Sequence, residues 1–128
     1  MRIEENLITI ETAELAKQKG FELSDAQYNY SEENNYNLGL NVYTEEDLLK
    51  YKIYPAPTQA LLQRWLRDKR NLSVNIFLIK NSVKKIWSYE IESLNTDLFI
   101  ENENITNIDE NTYEEALEDG LQEALMLL

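Results

Sequence analysis

No histidine and no cysteine occur among the 128 residues. The first absence removes the usual neutral-pH acid–base group and the commonest metal ligand. The second removes disulfides and thiolate chemistry, and it suits a reducing compartment. Glycine is almost missing as well. Three residues, at positions 20, 39 and 120, cannot assemble a phosphate-cradling loop or a dinucleotide fingerprint. No serine sits in a GxSxG elbow. The oxygen-rich run ENENITNIDEN lacks the central glycine and ligand spacing of a calcium loop. No apolar stretch reaches the roughly 20 residues that cross a bilayer. The opening MRIEENLITI places glutamates where a signal peptide carries positive charge. The expectation is a cytoplasmic protein that is not an enzyme, binds no cofactor or metal, and does not enter the membrane.

What is present fits a folded domain. A content of 43% hydrophobic and 28% charged residues belongs to globular chains rather than disordered ones. The length suits one domain, 1–128, with a core of its own. Three helices are expected. The first covers about 9–19, with Thr9 as N-cap, Glu11 in the first turn and Gly20 as the stop. The second lies in PAPTQALLQRWLRDKR, where Pro57 suits the first turn of a helix over 57–70. There Leu61, Leu62, Trp65 and Leu66 share one arc, opposite Gln63, Arg64 and Arg67. The third starts at Thr112, which forms a capping box with Glu115. Its apolar face runs through Tyr113, Ala116, Leu117, Gly120, Leu121, Ala124, Leu125 and Leu128. Gly120 in that face predicts a close approach to another backbone.

Between the second and third helices, apolar residues alternate with polar ones on both sides of a short link. Val74, Ile76 and Leu78 form one series, and Trp87, Tyr89 and Ile91 the other. This pattern predicts a β-hairpin over 73–92, with a further short strand at DLFIE (97–101). TEEDLLKY reads as a short helix capped by Thr44. The tyrosine-rich 22–44 region reads as a variable hairpin or loop, and its tyrosines, where exposed, offer an amphipathic contact surface. Trp65 and Trp87 read as core anchors. The fold class is α+β, with three main helices on a small antiparallel sheet.

Charge is sorted along the chain. Arg64, Arg67, Lys69, Arg70, Lys80, Lys84 and Lys85 face Asp68 alone, whereas the chain from Glu90 onward has twelve acids and no base. The overall charge is −12. Such asymmetry points to nucleic-acid contact by the basic part or a basic partner for the acidic part. Two candidate surfaces follow. The basic one comprises Gln63, Arg64, Arg67, Arg70, Lys84 and Lys85. It would serve a winged helix-turn-helix whose recognition helix is 57–70 and whose wing is 80–85, although a charge of −12 opposes phosphate. The acidic one comprises Glu118, Asp119 and Glu123, toward the C-terminus of the third helix, where anions oppose the dipole. A non-catalytic interaction domain that presents this acidic surface to a protein partner is the favoured reading. The apolar MLL ending adds the expectation of a homodimer.

Three blocks together, TIETAELAKQKGF, YPAPTQALLQRWLRD and TYEEALEDGLQEAL, resemble small uncharacterised proteins of Bacteroides-type gut bacteria, their phages and their mobile elements. The blocks cover the three helices and leave 22–44 unmatched. The resemblance implies a phage or mobile-element accessory role and designates no catalytic residue.

Overall fold

The computed structural model describes residues 7–22, 26–41, 45–80, 85–94 and 112–128. The expected α+β class is present: the described residues form three main helices, a short fourth one, and antiparallel strands in two small sheets rather than one. The packing divides into two compact units, 1–58 and 59–128.

Within the first unit, helix α1 spans Ile10–Gln18. Thr9 caps it, its Oγ1 accepting the Thr12 N–H at 3.4 Å. The helix ends in a Schellman motif: Gly20 takes φ 104°, its N–H donates to the Lys17 carbonyl, and the Phe21 N–H donates to Ala16. Glycine suits that left-handed position because it has no Cβ to clash. The buried face is Thr12, Ala13 and Ala16, small enough to lie close to its neighbour, and Leu15 is half-buried.

Within the 22–44 region, residues 28–40 form a hairpin. Strand β1 (Tyr28–Ser31) is followed by a 3-10 turn (Glu32–Asn34) and β2 (Leu38–Leu40). Short helix α2 (Glu45–Lys50) then leads to β3 (Ile53–Pro55). The sheet order is β2-β1-β3, antiparallel throughout, with Tyr30 paired to both Leu38 and Tyr54. Side chains bonded to backbone carbonyls bind these short strands together. Lys17 Nζ donates to the Ile53 carbonyl at 2.8 Å, fastening α1 to β3. The Tyr30 hydroxyl donates to the Ile8 carbonyl at 2.7 Å. Buried Asn29 donates to Asn41 Oδ1, and Asn41 donates in turn to the Ala26 carbonyl, each at 2.9 Å. A buried amide left without partners would cost about 1–3 kcal/mol, so this chain of bonds sets the position of Asn29.

In the second unit, helix α3 spans Gln59–Arg70, starting two residues later than expected from Pro57. The reason is local. The Pro57 carbonyl accepts the Ile8 N–H, and Thr58 bridges to Leu7, so both residues are held extended. Leu62 and Leu66 are fully buried, whereas Leu61 and Trp65 stand half-buried at the edge of the apolar arc. Trp65 is therefore a flank of the core rather than its anchor. Asn71, at φ 58°, ends the helix and turns the chain straight into the hairpin.

The hairpin is longer than the alternation implied, with β4 as Leu72–Lys80 and β5 as Lys85–Ser93. Its register pairs Val74 with Ile91, Ile76 with Tyr89 and Leu78 with Trp87, so the predicted apolar series share one face. Burial fades along that face, from Leu72, Val74, Tyr89 and Ile91 to half-exposed Ile76, Leu78 and Trp87. Trp87 is met edge-on by Tyr113, their ring centroids 5.5 Å apart. On the opposite face, Ser88 is fully buried and its hydroxyl has no hydrogen-bond partner. Nothing in the local packing accounts for that hydroxyl. The expected strand at 97–101, the Thr44 cap and the acid-rich run 101–111 lie outside the described residues.

Helix α4, Tyr113–Met126, covers both strands, and α3 packs against β4 and α4. Thr112 caps it: its Oγ1 accepts the Glu115 N–H and donates to the Glu115 carboxylate, each at 3.1 Å. Ala116, Leu117, Gly120, Leu121, Ala124 and Leu125 are buried. A Cβ on Gly120 would stand 2.7 Å from Val74 Cγ1 and 3.1 Å from the Tyr89 ring. Val74 is β-branched and held in a paired strand, so it has little room to give.

Gly120→Ala should accordingly destabilise the protein. The roughly 1 kcal/mol gained from helix propensity is outweighed by overpacking of about 1–3 kcal/mol. A lower midpoint in urea unfolding is the expected result; a raised midpoint would mean that the helix shifts freely on the hairpin.

Candidate interaction surface

The described members of both candidate surfaces fall within residues 59–128, on α3 and α4 and, for Lys85, on β5. Their members do not share one role. Gln63 was expected beside the arginines on the exposed side of α3. Instead it is half-buried, and its Nε2 donates to the Val74 carbonyl at 2.7 Å. It fastens the helix to β4. Arg64 and Arg67 are exposed, as is Lys69. Arg67 takes its neighbour Asp68 as partner, Nε to Oδ1 3.3 Å, with both side chains about half in water. Such pairs contribute about 0–1 kcal/mol. The Arg70 guanidinium lies 5.8 Å from the Trp65 ring centroid, a cation–π contact that shields the exposed edge of the tryptophan. Lys85 opens β5, paired with Lys80; Lys84 lies outside the described residues.

The cations of α3 have a structural reason. Arg67, Lys69 and Arg70 all stand in its last turn, where the helix dipole favours positive charge. Between α2 and α3 the chain passes through β3, which pairs into the first sheet.

The acidic surface is more uniform. At 100° per residue, Glu115, Glu118, Asp119 and Gln122 lie opposite the buried row of α4, with Glu114 and Glu123 on its flanks. Glu115 is exposed, and Glu118, Asp119 and Glu123 are half-exposed. Glu118 also has a partner inside the unit: its Oε1 accepts from Gln59 Nε2 at 3.0 Å, and the same amide donates to the Glu114 carbonyl at 2.9 Å. Gln59 was missed in the sequence, although it stands three and seven residues before buried Leu62 and Leu66. That spacing was its signal. The last turn of α4 holds no base, so Glu123 lies against the negative end of the dipole. Among the described residues, no group of three or more acids converges as a metal site, and no helix is long and apolar enough to cross a membrane.

No family model, curated protein or solved structure matches the chain.

Alanine substitutions should separate these roles. Arg64→Ala with Arg67→Ala is expected to change stability by less than about 0.5 kcal/mol, and Gln63→Ala to lower it by about 1 kcal/mol through loss of the carbonyl bond. Chemical denaturation measures both. Equal losses would show that the guanidinium groups also serve packing.

Proposed function

We propose that this chain is a non-catalytic interaction protein whose α4 carboxylates receive a basic protein partner. Its sequence blocks support an accessory role in a phage or mobile element. The observation that carries the reading is the outward side of α4: Glu115, Glu118, Asp119 and Glu123 line it without one base on the helix, and Glu123, in the last turn, opposes its dipole. Each anion so placed costs roughly 0.3–1 kcal/mol, a cost that a bound cation removes. Arginine or lysine side chains of a partner fit this face, and association should be fast and salt-sensitive, as steered encounters are.

The test is co-purification from the native or infected host with mass spectrometry, run with Glu115→Gln, Asp119→Gln and Glu123→Gln in parallel. A basic protein retained by the native chain, released by salt and lost from the triple variant is the expected result. Retention that ignores both salt and the substitutions overturns the reading. Duplex DNA serves as the competing ligand. A DNA complex whose log K falls with log salt at about −0.9 per phosphate, and which Arg64→Ala with Arg67→Ala weakens, would transfer the function to α3.

The exposed apolar end of α4 favours a second copy as well. Met126 and Leu127 are 56% and 48% exposed, whereas Leu125 beside them is fully buried. A homodimer mass in sedimentation equilibrium at micromolar concentration is expected, reverting to monomer on Met126→Gln with Leu127→Gln. A monomer throughout would mean that these side chains simply face water.

A further inference from the structure

The first sheet has two outer edges, and only one of them is closed. Strand β1 lies in the middle. On its β3 side, the Ala56 N–H donates to the Tyr28 carbonyl and the Glu32 N–H to the Lys52 carbonyl, each at 2.8 Å. Tyr30 is paired with Tyr54, so the alternation of an antiparallel ladder turns the backbone groups of Ile53 and Pro55 outward. Both are disarmed. The Ile53 carbonyl accepts from Lys17 Nζ at 2.8 Å, and Pro55 has no N–H to offer. Proline and lysine are the devices by which natural sheets blunt an edge.

The β2 edge carries neither. The Asn41 N–H donates to the Gln27 carbonyl at 2.9 Å, and Gly39 is paired with Asn29. The same alternation leaves the N–H and C=O of Leu38 and Leu40 pointing away from β1. Among the described residues no strand pairs with that side. Leu40 is 58% exposed, more than any other large apolar residue described. An edge that is apolar and unguarded is a template for another strand.

The strand also matches itself. Asn37, Leu38, Gly39, Leu40 and Asn41 read the same in both directions, so an antiparallel copy sets leucine against leucine and asparagine against asparagine. With a two-fold axis at Gly39, Leu38 and Leu40 of each copy pair at their outward, hydrogen-bonding positions. Gly39 then meets its own counterpart at a non-bonded position, where Cα atoms approach to about 4.5 Å and side chains crowd most. Residues 34–44 carry no charge, so like charges do not meet in the strand itself. We propose that β2 is a self-association edge, pairing antiparallel with β2 of a second copy about Gly39. The contact stands on residues 1–58 and is separate from the exposed end of α4. A strand of three residues offers few bonds, so association through it is weak.

The test combines sedimentation equilibrium with amide exchange by NMR, from micromolar to about 1 mM, the range of weak association. It uses the whole chain with Met126→Gln and Leu127→Gln, so that the α4 end does not contribute. The Leu38 and Leu40 amides should exchange freely when dilute and slow in proportion to the dimer fraction, whereas the Gly39 amide, bonded to β1, is protected throughout. Raised salt should strengthen the contact by screening repulsion between the acidic copies. Adding Leu40→Lys should keep the chain monomeric and both amides fast, with the thermal midpoint unchanged because Leu40 is exposed. Leu38 and Leu40 amides already slow when dilute would mean that the chain covers its own edge. A dimer that forms without slowing them, or that survives Leu40→Lys, would place the contact elsewhere. Either result, or a monomer at every concentration, overturns the proposal.

Discussion

Val74 Cγ1 lies 2.7 Å from the place where a Cβ on Gly120 would stand, and the arrangement of residues 59–128 depends on that clearance. A two-stranded hairpin is marginal in water by itself and needs a helix across one face. Ala116, Gly120 and Ala124 recur at every fourth position of α4 and are all fully buried or nearly so. This row of small residues lets the helix lie low on β4 and β5, so that Val74, Tyr89 and Ile91 are covered. Glycine in the middle of the helix is unfavourable by about 1 kcal/mol; the contact it permits with two strands offsets this. Because every large apolar residue from 116 to 125 is then directed inward, what remains outside is carboxylate.

Residues 1–58 are stabilised in a different manner. Strands of three and four residues give few ladder bonds, so side chains carry much of the connection. The Lys17 ammonium, the Tyr30 hydroxyl and the Asn29–Asn41 amides each end on a backbone carbonyl or lead to one. Lys17 acts twice, donating to Ile53 while resting on the Tyr54 ring. Bonds of this type are directional, so each holds its two partners to one geometry.

The two charged helices differ in what they ask of a partner. Arg67, Lys69 and Arg70 of α3 stand where its dipole wants them, and Arg67 and Arg70 find Asp68 and Trp65 on their own helix. They are accounted for within the fold. The carboxylates of α4 are only half accounted for. Glu114 and Glu115 suit the N-terminal turn and Glu118 holds Gln59, but Asp119 and Glu123 have no favourable field from the helix. This inequality, rather than the acidity of the chain as a whole, is what the role proposed for α4 rests on.

Much of the fold was legible in the sequence, because its signals are local. Thr9 and Gly20 marked α1, Thr112 marked the start of α4, and the period-two series around Val74 and Tyr89 marked the hairpin. Each of these depends on a side chain and a backbone group a few residues apart. Residues whose role depends on distant partners read differently once folded. Gln63 looked like a member of an exposed basic face, and Trp65 like a core anchor. The first is drawn to a carbonyl of β4, and the second is left at the rim because the centre of the buried arc lies toward Gln59. Pro57 suggested a helix start that pairing with residues 7 and 8 postponed. By itself the sequence determined the helices, the hairpin and the sorting of charge, since capping, periodicity and composition act over a few neighbouring residues. Only the tertiary structure decided that Gly120 faces Val74 and that Tyr36 stacks on Tyr54, because those contacts join residues 46 and 18 positions apart and exist only once the chain has closed on itself.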